Sequence, residues 1–286
     1  MKDRIADSQV PPEAATSAED NERYGFSRFA SHPFFGEVNR WLVERVASLG
    51  HRFVDLACGP GAVTELLLQR LMDRGRGLIY AVDPSLSELD RARRRVASGL
   101  VEFIQGSAEN LSRLVPQVDV VVFCNAIHLI KDKLQVLSEI RKVLRSGGTL
   151  AFNTTFFKGC YPPGTERFYR YWILRAAQYL RERGVSVLRA EKSESLEWVT
   201  PEEYGALVSA AGFVEPTWRL HEVTLSPESL EDIGQFSLFV RGALPRVPLE
   251  IGADALAQAV RVAMRDAGIQ GGVPRFWLQF IARTQA

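Results

Sequence analysis

The chain has 286 residues, 46% of them hydrophobic, and a formal net charge of +1. That length supplies a sizeable core for one large domain or two small ones, and the near-neutral balance excludes the basic footprint of a nucleic-acid binder. Three cysteines without a CxxC pair, Cys58, Cys124 and Cys160, encode neither a disulfide framework nor a metal site and point to a reducing, cytoplasmic setting. No apolar run approaches the roughly 20 residues that span a bilayer, and the polar start of the chain lacks the apolar core of a secretory signal.

Residues 1–20, rich in Ala, Pro, Ser and acids, read as a disordered tail, leaving 21–286 as one domain. From Arg52 short β-rich runs alternate with amphipathic helices. Strand Arg52–Ala57 leads to a helix over 61–73 with Val63, Leu66, Leu67 and Leu71 inward. Strand Leu78–Val82 leads to a helix over 85–97 with Leu86, Leu89, Ala92 and Val96 inward, which makes the Arg91–Arg95 run a solvated outer face. Strand Val101–Gly106 precedes a short helical turn over 109–114. Strand Val118–Cys124, apolar apart from Asp119, reads as buried on both faces. A helix over 132–145 carries Leu134, Leu137, Ile140 and Leu144, and Gly147-Gly148 opens strand Thr149–Thr154. Helices are then expected over 164–183 and from the N-cap Thr200 with Pro201 in the first turn. A sixth strand follows at Phe213–Thr224, then helices over 228–242 and 253–267 and a last strand at Phe276–Thr284. Repeated strand–helix units make a doubly wound, mostly parallel sheet whose ligands bind at the carboxyl ends of the strands. Segments 21–50, 155–197 and 225–272 break this rhythm and are expected to form a helical cap.

Val54-Asp55-Leu56-Ala57-Cys58-Gly59-Pro60-Gly61 is a strand running into a glycine-rich turn and then a helix. Gly59 and Gly61 let a ligand approach the backbone with no Cβ in the way. A dinucleotide fingerprint needs a third small residue where Thr64 stands, and Pro60 removes an N–H that a pyrophosphate would use. The turn therefore favours S-adenosylmethionine over a nicotinamide dinucleotide. Asp83, followed by Pro84 at the end of the second strand, is placed to accept hydrogen bonds from both ribose hydroxyls.

With these two signals the chain resembles the class I S-adenosylmethionine-dependent methyltransferases. Gly106-Ser107-Ala108-Glu109-Asn110-Leu111 is similar to that family's adenine loop, and Cys124-Asn125-Ala126-Ile127-His128-Leu129 to the loop facing the methyl group and substrate. Leu144-Arg145-Ser146-Gly147-Gly148-Thr149-Leu150 and Ala210-Ala211-Gly212-Phe213 match its turns into the fifth and sixth strands. The resemblance implies a seven-stranded Rossmann-like sheet whose last strand is antiparallel. It also implies that Asp55 and the backbone of Ala57 and Gly59 hold the methionine amino group, with Gly61 shaping the turn. Asp83 and Pro84 would meet the ribose, Ser107 and Ala108 the adenine, and Asn125 the sulfonium side. Ala57 replaces a family glycine, a mild change in size, and Ser107 stands where an acid is common.

Such an enzyme must align its acceptor, exclude water and, where needed, remove a proton. His128, just past the fourth strand, is the candidate base; His32, His51 and His221 are assigned nothing. Aromatics before the first strand and after the fifth, among them Tyr24, Phe29, Phe157 and Tyr161, are expected to line a largely apolar chamber. The substrate is then a small lipophilic or aromatic metabolite, methylated on oxygen as first reading and carbon as second. The alternatives are a nicotinamide-dependent oxidoreductase on the same sheet, or a non-catalytic S-adenosylmethionine-binding protein. An antiparallel last strand beside the sixth separates the first alternative from the methyltransferase.

Overall fold

A computed structural model describes residues 23–187 and 198–286; the expected tail at 1–20 and the end of the 155–197 segment lie outside the described residues. Seven strands, β1 (Arg52–Leu56), β2 (Leu78–Asp83), β3 (Val101–Gln105), β4 (Val118–Cys124), β5 (Leu144–Thr154), β6 (Phe213–Leu225) and β7 (Val273–Thr284), form one sheet. Their order is β3-β2-β1-β4-β5-β7-β6. β1 to β5 run parallel, and β7 is antiparallel to both β5 and β6. The last strand thus has the direction that the oxidoreductase alternative does not provide.

Alternation along the strands sends one set of side chains to each face. Val54, Val82, Val121, Phe123 and Phe152 pack with Leu137 and Ile140 of α6 (Lys133–Val143) and Tyr204 of α8 (Pro201–Ala210). Phe53, Ile79, Val120 and Val122 pack on the other face with Leu42 and Val46 of α2 (Pro33–Val46) and Leu67 and Leu71 of α3 (Ala62–Asp73). Asp119 is tolerated in β4 because its carboxylate accepts from the N–H groups of His51 and Arg52 (2.7 and 2.8 Å) and pairs with Arg145 at 2.7 Å. The Arg-rich outer face of α4 (Leu86–Arg95) is laced by pairs to Glu88, Asp90 and Glu65, each worth little in solvent, and the one-turn helix α5 (Leu111–Leu114) follows β3.

A third core holds the cap, built from α1 (Ser27–Ala30), α2, α7 (Glu166–Glu182), α9 (Pro227–Gln235), α10 (Ser237–Ala243) and α11 (Leu249–Ala267). Fully buried Trp172 donates its indole N–H to the Leu256 carbonyl at 2.7 Å, so α7 and α11 are fixed by a polar contact as well as by apolar area. The capping box expected at Thr200 is present, with Glu203 as its reciprocal partner.

Several local expectations are corrected. The helix expected over 228–242 is two helices, α9 and α10, with Phe236 extended between them (φ −65°, ψ 126°). Tertiary contacts override the helical pattern: Ser237 N–H bonds the Tyr24 carbonyl at 2.9 Å, and the Phe236 ring packs edge-on to Phe26 at 5.3 Å. Helix α11 begins at Leu249 rather than 253, and β7 at Val273 rather than 276. β5 begins at Leu144, which pairs with Val118 before the register shifts. Leu86 and Leu134 are exposed, 54% and 42%. Leu86 sits in the first turn of α4 just past the Ser85 cap, and α6 turns Val136, Leu137, Ile140 and Val143 inward instead.

Candidate active site

The carboxyl ends of β1 and β2 meet at the glycine-rich turn. Cys58 N–H bonds the Val82 carbonyl (3.1 Å), Gly59 N–H bonds Asp83 Oδ2 (2.9 Å), and Ser85 N–H bonds Asp83 Oδ1 (2.9 Å). Each Asp83 oxygen therefore keeps acceptor capacity for a ligand hydroxyl. Gly59 lies at φ +51°, and a Cβ built there would meet no protein atom within 4 Å. Gly61 differs. A Cβ there would press on Ala92 at 3.1 Å, so this glycine is required by the approach of α4. Thr64 is fully buried and donates to Asp55 Oδ2 at 2.6 Å, which gives a structural reason for a hydroxyl where a dinucleotide site needs a small residue. Ala57 adopts φ +54°. The replacement of glycine is therefore a matter of backbone strain and not only of size, on the order of 1 kcal/mol or more.

This half of the site is acidic. Burial pushes the Asp55 carboxyl up to about 7, opposed by the Thr64 hydroxyl and reinforced by Asp83. Burial also raises Asp83 and Glu88. A ligand bearing an ammonium and a sulfonium fits such a cluster, and Gly59 leaves space for it. Ser107 and Ala108 follow β3 at the same edge, where Gly106 N–H bonds the Asp83 carbonyl (3.1 Å) and Ser107 Oγ accepts from Asn110. Pro84 lies between Asp83 and Ser85, its carbonyl accepting from Gln105.

Past β4, Asn125 (φ +55°) has its side chain committed at both ends. Nδ2 donates to Asn39 Oδ1 at 3.1 Å, and Oδ1 accepts from Trp277 Nε1 at 2.8 Å. Asn153 Nδ2 donates to the same Asn39 oxygen at 2.9 Å. This network ties α2, β5 and β7 to the loop after β4. Asn125 thus has both ends of its amide engaged in holding the wall, with one donor and one acceptor position left. His128 Nδ1 lies 3.0 Å from Thr154 Oγ1, and its ring packs on Phe156 at 4.4 Å. Burial, with Lys133 and Arg275 adding like charge, pushes its pKa down to about 3.

The four aromatics chosen from sequence separate. Phe29 lines a narrow cavity together with Thr155, Phe156, Tyr169, Trp172 and Arg275. Tyr161 lies beside that cavity, against Tyr169 at 4.2 Å. Tyr24 is buried in the cap core and Phe157 in the core under the sheet. Phe157 faces away because β5 ends at Thr154 and the chain turns, so its neighbour Phe156 is the one presented to His128. Asn39, Asn153, Thr154, Arg275 and Trp277 escaped sequence reasoning, and Tyr169 was legible only as one aromatic of the stretch after β5. Only the polar residues inside strands β5 and β7 carried a usable signal. A broader surface depression bounded by Pro227, Arg261, Met264 and Arg265 contains none of the motif residues.

Known proteins agree with this geometry. Residues 54–152 match the family described as "Methyltransferase domain". The chain is 31% identical over 210 residues to a trans-aconitate 2-methyltransferase of Mycolicibacterium gilvum, covering 71% of this chain and 76% of that protein. It is 25% identical over 166 residues to a ubiquinone/menaquinone biosynthesis C-methyltransferase of Campylobacter jejuni, covering 57% and 70%. Its fold is similar to that of the YcgJ protein of Bacillus subtilis, with a TM-score of 0.55 at 16% identity over 87% of this chain and 99% of that one. With the sheet order, the open glycine turn and an acid at the end of β2 in place, the chain belongs to the class I S-adenosylmethionine-dependent methyltransferases.

Proposed function

We propose that this methyltransferase acts on a small lipophilic or aromatic metabolite, with oxygen as the first acceptor and carbon as the second. The observation that carries this reading is the narrow aromatic-lined cavity of Phe29, Phe156, Tyr169 and Trp172, whose Phe156 packs against His128. Three buried, free cysteines support a reducing, cytoplasmic setting. No helix among the described residues is long and apolar enough to cross a membrane.

When bound, the cofactor supplies a sulfonium-activated methyl group. Asp83 would accept from the ribose hydroxyls, with Pro84 beside it. Asp55 with the backbone of Ala57 and Gly59 would meet the methionine ammonium, and Ser107 and Ala108 the adenine. On the acceptor side the aromatic walls exclude water and hold an apolar body. His128 is neutral across the physiological range, because its pKa is held at about 3. General-base work at Nε2 requires the proton to sit on Nδ1, and Thr154 Oγ1 can accept it there. A base this weak suffices for a hydroxyl, which becomes strongly acidic as its oxygen gains a carbon substituent.

The test is transfer of label from tritiated cofactor to a panel of lipophilic phenols, acids and polyketides. Labelled product from this panel is expected. Transfer to polar amines and to none of the panel would overturn the reading.

A further inference from the structure

Arg275 on β7 is 5% exposed. Its Nε donates to Thr155 Oγ1 at 2.7 Å and an Nη2 hydrogen to the Thr155 carbonyl at 2.9 Å. The guanidinium lies over the rings of Phe156, Tyr161 and Tyr169, 5.1–5.2 Å from each centroid. Among the described residues no carboxylate pairs with it. Arginine stays protonated, and a buried cation without a counter-ion is costly even when aromatic faces offset part of the loss. Two of its five donors are engaged by Thr155. A second observation points the same way: the hydroxyl of Tyr169, a residue lining the same cavity, makes no hydrogen bond of good geometry. Its polar neighbour Arg275 can only donate to it, which leaves the phenol O–H without an acceptor. Unused guanidinium donors and an unused phenol donor converge on one apolar-walled space.

We propose that Arg275, with Tyr169, is the anchor for a carboxylate on the methyl acceptor. The proposal rests on the small-molecule reading above and narrows it to an acid with an apolar or aromatic body. The planar fork of arginine matches a carboxylate through paired hydrogen bonds. A carboxylate held this way is a poor nucleophile, so the methylated atom is another one, on the His128 side of the chamber. Phe156 lies between the two functions, in ring contact with His128 and under the Arg275 charge. The cavity is narrow, about 10 Å³, so cap aromatics must give way for the carboxylate to reach Arg275 and for the body of the acid to follow.

The experiment compares ligand pairs on the whole protein in the presence of S-adenosylhomocysteine, by calorimetry. The probes are 4-hydroxybenzoate, 4-hydroxycinnamate and decanoate, each against its own carboxamide. At least one acid is expected to bind 10-fold or more tighter than its amide, a preference that disappears in Arg275→Met and weakens in Tyr169→Phe. Affinity for S-adenosylhomocysteine should stay within about threefold in both variants. If no acid exceeds its amide in the wild type, the anchor is wrong. It is equally wrong if Arg275→Met, folded by circular dichroism, keeps the preference. The wild-type comparison needs no variant, so misfolding cannot mask the answer. Labelled transfer to neutral phenols with no preference for acids would remove the anchor and leave the small-molecule reading standing. Failure of transfer to the whole lipophilic panel would remove that reading instead.

Discussion

The two halves of the site are built from opposite materials. The cofactor half, at the ends of β1 to β3, is glycine turn and carboxylate: Asp55, Asp83 and Glu88 are crowded enough that burial raises all three. The acceptor half, at the ends of β4, β5 and β7, is aromatic and cationic, with Arg275 buried and His128 driven toward its neutral form by burial and by the charges of Lys133 and Arg275. A polarised pocket of this kind sorts its ligands by sign. On the proposed assignment a cationic cofactor would be drawn to one end, and at the other an anion would relieve the cost of an uncompensated charge.

The contrast can be broken most severely at Gly59. Gly59→Val places a branched side chain in the open space beside Asp83 at a positive φ. Cofactor affinity is expected to fall roughly 100-fold or more, with the sheet intact by circular dichroism; near wild-type affinity in titration calorimetry would mean that the turn is no cradle. On the acceptor side, His128→Ala is expected to lower turnover about 100-fold while cofactor affinity holds within a few-fold. The pH profile sharpens this. Protonation removes the base, but a pKa near 3 in the free protein moves that loss far below the ordinary imidazole range. Wild-type turnover should therefore stay level from pH 8 down to about 5, and a fall centred near 6.5 would mean that the surroundings of His128 are misread.

Asp83→Ala removes a charge-assisted acceptor and should weaken cofactor binding roughly ten- to a hundredfold, read by the same calorimetry. The smallest effect is a proton count. Asp55 is largely protonated below about pH 7 in the free protein, and a cationic ligand beside it favours the ionised form. Cofactor binding at pH 6.5 should release a fraction of a proton, seen as a buffer-dependent enthalpy and lost in Asp55→Asn. The same two groups act oppositely on stability. Asp55, raised in the folded state, costs stability as pH climbs from about 4 to 7. His128, lowered in the folded state, costs stability as pH drops from about 6.5 to 3. Thermal unfolding of Asp55→Asn should lose the first slope and keep the second.

The cofactor half was legible in the sequence because its chemistry is local. One strand, one turn and one acid lie within thirty residues, and each has a fixed place at the strand ends. The acceptor half was legible only in part: Phe29 and His128 stood out, but Phe29, the Phe156–Tyr169 stretch and Arg275 come from three distant parts of the chain and meet only through the fold. Periodicity told that aromatics would pack, and could not tell that Phe157 turns into the core while Phe156 faces His128. Asn39 and Asn153 read as ordinary polar residues until α2 and β5 bring them to one shared oxygen. The break at Phe236 was hidden for the same reason, since a contact with Phe26, more than two hundred residues earlier, decides it.

β6 takes its hydrogen bonds from β7, which in turn wedges between it and β5. During synthesis the ribosome therefore delivers β6 before anything exists for it to pair with. Until residues 273–284 emerge, β5 presents an open parallel edge and β6 is an unattached ribbon, with Trp218 and Leu220 on its surface. Such pairings over long sequence separation are slow to form, and an unsatisfied edge invites other chains. Newly made protein should thus lean on chaperones until β7 docks. Truncations upstream of Val273 should aggregate rather than merely lose activity.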